Sequence, residues 1–226
     1  ALLLVPGVTA RAESVDLELV LAIDVSRSID AEEAALQREG YAAAFRHPAV
    51  IDAIRSGAQG RIAVAYVEWA GVNSRRLTIP WTILNDAASG AAFSDTIMRQ
   101  EYVSWNWTSI SGAIDFSMET FATSPHQATR RVIDISGDGV NNNGRPAEDA
   151  RDDALRQGVT INGLVIMNDR NPPRMSMYNP SPLPLDEFYR QHVIGGPGAF
   201  VIAITDFASF AYAIRNKLIR EIAEAR

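Results

Sequence analysis

The sequence predicts an α/β domain, doubly wound, whose mostly parallel central sheet has one antiparallel edge strand and helices on both faces. Three observations predict it. Apolar runs of strand length alternate with amphipathic stretches of helix length along the 226 residues, which is the pattern of βα units. The first run, Leu17–Ile23 (LELVLAI), is apolar almost throughout, as a strand covered on both faces must be. One later run, Arg76–Trp81, is short, contains Pro80 and follows a break at Gly71–Ser74. Proline cannot donate to a ladder, so this run reads as an antiparallel partner at the sheet edge.

The elements follow in order. After Ile23 the chain turns polar at Asp24. Asp30 with Glu33 three residues on is a capping-box start, and Leu36, Tyr41 and Phe45 give the helix behind it an apolar face. Arg61–Trp69 (RIAVAYVEW) is the second strand, and Ala87–Met98 and Ser109–Phe121 are helices. Arg131–Ile135 is a strand that runs into Ser136-Gly137-Asp138-Gly139. A helix over Ala147–Gln157 ends at Gly158, where glycine suits a left-handed cap. Thr160–Ile166 and Phe200–Ile204 are the remaining strands. Phe207, Phe210, Ile214, Leu218 and Ile222 line one face of a terminal helix. Between them, Asn168–Ala199 holds six prolines, with a short helix expected near Asp186–His192. A long irregular stretch in a compact chain points to function, specificity above all, or to disorder.

Composition narrows the function. The net charge is −6, so there is no basic excess to neutralise nucleic-acid phosphates. Cysteine is absent, which excludes disulfides, thiolate metal sites and cysteine nucleophiles. His47, His126 and His192 lie far apart, so neither a zinc enzyme nor a Ser-His-Asp hydrolase is favoured. Lys217 is the single lysine among otherwise scattered arginines. No run is long enough to cross a membrane. The apolar start and Ala10-Arg11-Ala12 read as the tail of a secretory leader. That divides the chain into a leader remnant, 1–12, and a domain, 13–226, working in the periplasm or outside the cell.

In an open α/β sheet, ligands sit beyond the carboxyl ends of the strands. There the chain offers Asp24, Ser26 and Ser28 after the first strand, Thr108 before a helix, and Asp138 after the Arg131 strand. These are two carboxylates and three hydroxyls. Hard oxygen donors suit Mg²⁺, Ca²⁺ or Mn²⁺. The plainer alternative is a turn aspartate followed by two serines that cap the next helix.

LVLAIDVSRS resembles the first strand and Asp-x-Ser-x-Ser motif of von Willebrand factor A (VWA) domains. WTSISGAI resembles their threonine loop, and DISGDG the strand that delivers a later aspartate. The resemblance covers about Asp16–Arg226. VPGVTARA and YVEWAG are similar to a bacterial group of secreted VWA-like proteins. The resemblance implies a Rossmann-like fold and a metal-ion-dependent adhesion site (MIDAS) of Asp24, Ser26, Ser28, Thr108 and Asp138. The cation would be Mg²⁺, or else Ca²⁺ or Mn²⁺. The implied function is an adhesion-type module that binds a protein partner whose acidic group completes the metal shell.

Trp105, Trp107 and Asn141 stand beside these motifs as candidate partner contacts, although Asn141–Asn143 also reads as a plain polar turn. Glu68, an acid in an apolar strand, reads as a paired carboxylate or as support for a site hydroxyl. An enzyme remains the alternative: a Mg²⁺-dependent hydrolase or phosphoryl-transfer enzyme using Asp24. Against it, Ser26 stands where an Asp-x-Asp phosphatase has its second carboxylate, and no glycine-rich phosphate loop or nucleophile elbow is found.

Overall fold

The computed structural model describes residues 12–167, 181, 183–205 and 209–223. Among them six strands form one sheet in the order β3-β2-β1-β4-β5-β6. The strands are β1 (Glu13–Asp24), β2 (Ile62–Trp69), β3 (Arg75–Leu84), β4 (His126–Gly137), β5 (Val159–Ile166) and β6 (Val201–Ile204). Every pairing is parallel except β2 with β3. The predicted edge strand is therefore real, and Pro80 sits where the register slips between Val64 and Tyr66, a bulge that absorbs its missing N–H.

The helices are α1 (Ala31–Arg46), α2 (Pro48–Arg55), α3 (Ala87–Met98), α4 (Ile110–Ala122), α5 (Ala147–Arg156), α6 (Leu185–Phe188) and α7 (Phe210–Ala223). The chain after α6 winds on as a π-helical turn, Tyr189–Val193. Two apolar layers flank the sheet. One joins Leu19, Leu21 and Ile23 to α1, α2, α3 and α7; the other joins Val20, Ala22 and Ile133 to α4, α5 and the π turn. Both side-chain sets of β1 are buried, which is why its sequence lacks the alternation of a half-exposed strand.

Local signals explain the ends. Asp30 accepts from the Glu33 N–H at 2.9 Å and Glu33 returns the bond to the Asp30 N–H at 3.0 Å, a reciprocal cap worth about 1 kcal/mol. Gly158 adopts φ 75° behind α5, as its place after the helix predicts. Helix α2 is not foreseen from the sequence. His47 ends α1, and its Nδ1 accepts from the Ala49 N–H at 3.1 Å to cap α2, with Pro48 at the first helical position.

The chain order reverses direction at β1, whose neighbours are β2 and β4. This is the topological switch point, where the connections leave a crevice at the strand ends. Asp24 closes β1, and Asp138 follows the end of β4, on the two sides of that crevice.

Candidate functional site

The Asp24 carboxylate is fully buried at the end of β1. Its Oδ1 accepts from the Ser26 N–H at 2.7 Å, an Asx-type turn that curls the chain over the strand end. The curl brings Ser26 Oγ within 2.8 Å of Ser28 Oγ, and Ser28 donates to Asp138 Oδ1 at 2.6 Å. A continuous hydrogen-bonded path therefore leads from Asp24 through both serines to Asp138. Four of the five expected ligands are thus brought together.

Thr108, the fifth, is fastened from the backbone. The Trp105 N–H donates to the Val25 carbonyl at 3.1 Å, which ties the threonine loop to the Asp-x-Ser-x-Ser loop. The Thr108 N–H donates to Asn142 Oδ1 at 2.8 Å, and the Asn142 N–H donates to the Thr108 carbonyl at 2.9 Å. The Thr108 side chain is buried. Among the described residues its hydroxyl stands outside the Ser26–Ser28–Asp138 path.

The three consecutive asparagines clamp this loop. Asn141 Oδ1 accepts from the Ser111 N–H at 3.0 Å, and its Nδ2 donates to the Arg145 carbonyl at 2.9 Å. Asn143 Oδ1 accepts from the Val72 N–H at 2.8 Å. Asn141 thereby braces the site loops. A run of Asn after Asp-Gly is visible in the sequence, but nothing local says which backbone groups it will meet.

The aromatics divide. Trp107 is 57% exposed and, alone among the described non-glycine residues, has a positive φ, 71°. A tryptophan in the left-handed region is strained by about 1–2 kcal/mol. Trp105 is half-buried, with the Arg76 guanidinium 5.7 Å over its ring. Arg76 is held in turn by Glu68, which accepts from its Nε at 2.7 Å and from the Thr78 hydroxyl at 3.1 Å. Glu68 is the paired carboxylate of the two readings. Tyr102, also exposed, donates to the Ile29 carbonyl at 3.1 Å on the same rim.

Electrostatics single out Asp24. Burial pushes its carboxyl well above the ordinary range, and the nearby Asp138 charge raises it further. Hydrogen bonds from Ser26 and the Asp138 backbone offset this in part. Oδ2 remains buried without a hydrogen bond of normal geometry. An uncompensated buried carboxylate oxygen is costly, and it marks where a positive group would stabilise the site. Among the described residues no three His, Cys, Asp or Glu side chains cluster as metal ligands, so a cation here would need the hydroxyls. The donor set present, all oxygen and mixed carboxylate and hydroxyl, fits a hard divalent cation.

Comparison with solved structures shows the same fold at low identity. Proximal thread matrix protein 1 from the mussel byssus, in a form with a zinc-occupied MIDAS motif, matches at a TM-score of 0.61 and 14% identity, over 95% of this chain and 49% of that one. A von Willebrand factor type A protein from Catenulispora acidiphila matches at 0.56 and 19%, over 94% of this chain and 43% of that one. The chain thus spans about half the length, or less, of these two. An aerotolerance-related membrane protein from Bacteroides fragilis matches at 0.57 and 20%, over 91% of this chain and 99% of that one. No curated protein matches the chain. The sequence profile of the family described as "Protein of unknown function (DUF1194)" matches residues 14–226, so the chain belongs to that family, and its fold is that of a von Willebrand factor A domain.

Proposed function

We propose that the chain is a metal-dependent protein-binding module of the adhesion type. Asp24, Ser26, Ser28, Thr108 and Asp138 hold a divalent cation, Mg²⁺ ahead of Ca²⁺ or Mn²⁺, and an acidic group of a protein partner completes its shell. The observation that carries this reading is the buried, unbonded Asp24 Oδ2 beside a path of hydroxyls that ends on a second carboxylate. A bound cation would supply the charge that offsets both carboxylates and would draw a further anionic ligand to its open side.

The walls of the site fit a partner surface. Trp107 projects into solvent at the cost of backbone strain, and Arg76 braces Trp105 beside it. Large aromatics at a rim supply contact area at low entropic cost. The domain is residues 13–226, and residues 1–12 are the leader that would send it to the periplasm or beyond; of these, 1–11 lie outside the described residues, as do 168–180 and 182 of the Asn168–Ala199 stretch proposed as the specificity element. Among the described residues no helix is long and apolar enough to cross a membrane. Some matched structures belong to pilus proteins, the adhesin SpaC of Lactobacillus rhamnosus GG and the tip protein Mfa5 of Porphyromonas gingivalis, which supports protein binding as the class of function.

The phosphoryl-transfer alternative is less well supported. A nucleophilic Asp24 would have to present a carboxylate oxygen to substrate, and its side chain is fully buried with Oδ1 held by Ser26. Calorimetric titration tests the two readings together. The wild type should bind one divalent ion, and Asp24→Ala should abolish the heat while the apo domain stays folded. An unchanged Mg²⁺ isotherm in Asp24→Ala overturns the site. Turnover of phosphate esters with Mg²⁺ would favour the enzyme.

A further inference from the structure

We propose that Tyr189 is a positioning residue of this site, its hydroxyl holding the outer oxygen of Asp24 across the surface of the sheet. The inference rests on the metal-site reading above.

Two buried polar atoms lack a hydrogen bond of normal geometry on this side of the sheet: Asp24 Oδ2 and the Tyr189 hydroxyl. Gly137 places both beside one point on the sheet. A Cβ added at Gly137 would lie 2.8 Å from the Tyr189 hydroxyl and 3.0 Å from Asp24 Oδ2. One point thus lies within contact of both atoms. A Cβ at Gly163 would lie 2.9 Å from Tyr189 Cδ1. Strand β5 pairs with β4 so that Gly163 faces Ile135, two residues before Gly137. In a parallel pair those positions share a face. The missing side chains of Gly137 and Gly163 therefore leave a trough in the sheet, and the Tyr189 ring lies along it with its hydroxyl toward β1. The β1–β4 register, which pairs Ile23 with Ser136, sets Asp24 beside Gly137 at the end of that trough.

A ring alone would fill this space as phenylalanine, without burying an unbonded hydroxyl. The hydroxyl has the carboxylates of Asp24 and Asp138 as charged neighbours. It can donate to Oδ2 and fix the carboxylate plane that the Ser26 N–H already holds at Oδ1. A carboxylate pinned at both oxygens presents its lone pairs to a cation in one orientation, the role that outer partners play for metal ligands generally. The sequence carries no sign of it: Tyr189 lies within the proline-rich stretch 168–199, far in sequence from every motif residue.

The test is Tyr189→Phe, which keeps the ring. The apo domain should unfold at the wild-type temperature or slightly above it. Mg²⁺ affinity by calorimetry should fall roughly tenfold or more. In protein labelled with ¹³Cζ-tyrosine, the resonance that is lost in Tyr189→Phe should shift when the wild type is saturated with Mg²⁺, a response that mere packing would not give. Gly137→Ala, which wedges a methyl between hydroxyl and carboxylate, should weaken Mg²⁺ binding as well. If Asp24→Ala loses binding while Tyr189→Phe keeps wild-type affinity, the Tyr189 role is overturned and the site stands. If the wild type binds no divalent ion, both fall.

Discussion

Asp24 and Asp134 stand on the adjacent strands β1 and β4, both fully buried, yet the protein treats them in opposite ways. Asp134 lies on the α7 side of the sheet. Its Oδ1 is 2.7 Å from Lys217 Nζ, and Lys217 also contacts Glu221 one helical turn on. Asn162 donates to Glu221 at 3.0 Å, and Tyr41 reaches Asp134 at 3.5 Å. The chain's single lysine is spent here, in the core. Asp24, at the strand end, has as its charged neighbour another carboxylate, Asp138. A buried charge compensated from within is a structural element. A buried charge left beside a like charge at the switch point is a demand for something from outside.

The largest test of this contrast removes the internal compensation. Lys217→Met keeps the stem and deletes the ammonium, leaving Asp134 and Glu221 buried together. Loss of one partner from a buried ion pair costs about 3–5 kcal/mol. Denaturant unfolding of the apo domain should show a loss of that size. A loss below about 1 kcal/mol would mean that the Lys217 cluster contributes no more than a surface pair.

The second test reads the same cluster by pH. Burial, and then the Asp134 charge, push Glu221 from its ordinary 4.5 up to about 7. The folded state thus holds this proton more tightly than the unfolded chain does. The resulting stabilisation is complete below about pH 4.5 and is lost as pH rises through about 7. Asp134 shifts in the same direction, again by burial, against the pull of Lys217. Lys217 is raised by its two carboxylates against the effect of burial, and it stays charged throughout this window. Unfolding free energy should therefore fall between about pH 4.5 and 7 by an amount on the order of a few kcal/mol and level off above that. Glu221→Gln should flatten the profile. An identical slope in that variant would assign the pH dependence to other groups.

The contrast also separates what was legible in the sequence from what was not. The parallel sheet was legible because burial on both faces leaves unbroken apolar runs, and Pro80 marked the edge strand. The Asp24, Ser26, Ser28 and Asp138 cluster was legible because its residues follow strand ends, where position along the chain translates directly into position in space. Lys217 has no local signal beyond composition, since its partners Asp134 and Glu221 are brought to it by the α7 helical turn and by the docking of α7 on β4. Helix α2 escaped because His47-Pro48 looks like a stop, whereas His47 ends one helix and caps the next. The first half of β4, His126–Arg131, alternates between half-buried and exposed, too polar to register as a strand before its pairing with β1 is known. Tyr189 and the asparagine clamp depend on contacts between distant segments, for which one chain read alone holds no local signal.

The smallest expected effect is the most telling. Asp24→Asn keeps the shape of the side chain and the acceptor that Ser26 N–H uses, and it removes a charge that burial and Asp138 both oppose. Its new amide can donate toward the Tyr189 hydroxyl. Apo stability should therefore change by less than about 1 kcal/mol, and in the favourable direction, because an uncompensated buried charge is removed. At Mg²⁺ a hundredfold above its Kd, the wild type should gain about 2.7 kcal/mol from ligand linkage. Asp24→Asn should gain nothing measurable. Thermal unfolding with and without Mg²⁺ reads both quantities from one pair of proteins. A cost of 3 kcal/mol or more in the apo state, the scale expected for Lys217→Met, would place Asp24 with Asp134 among the structural groups and dissolve the distinction between the two carboxylates.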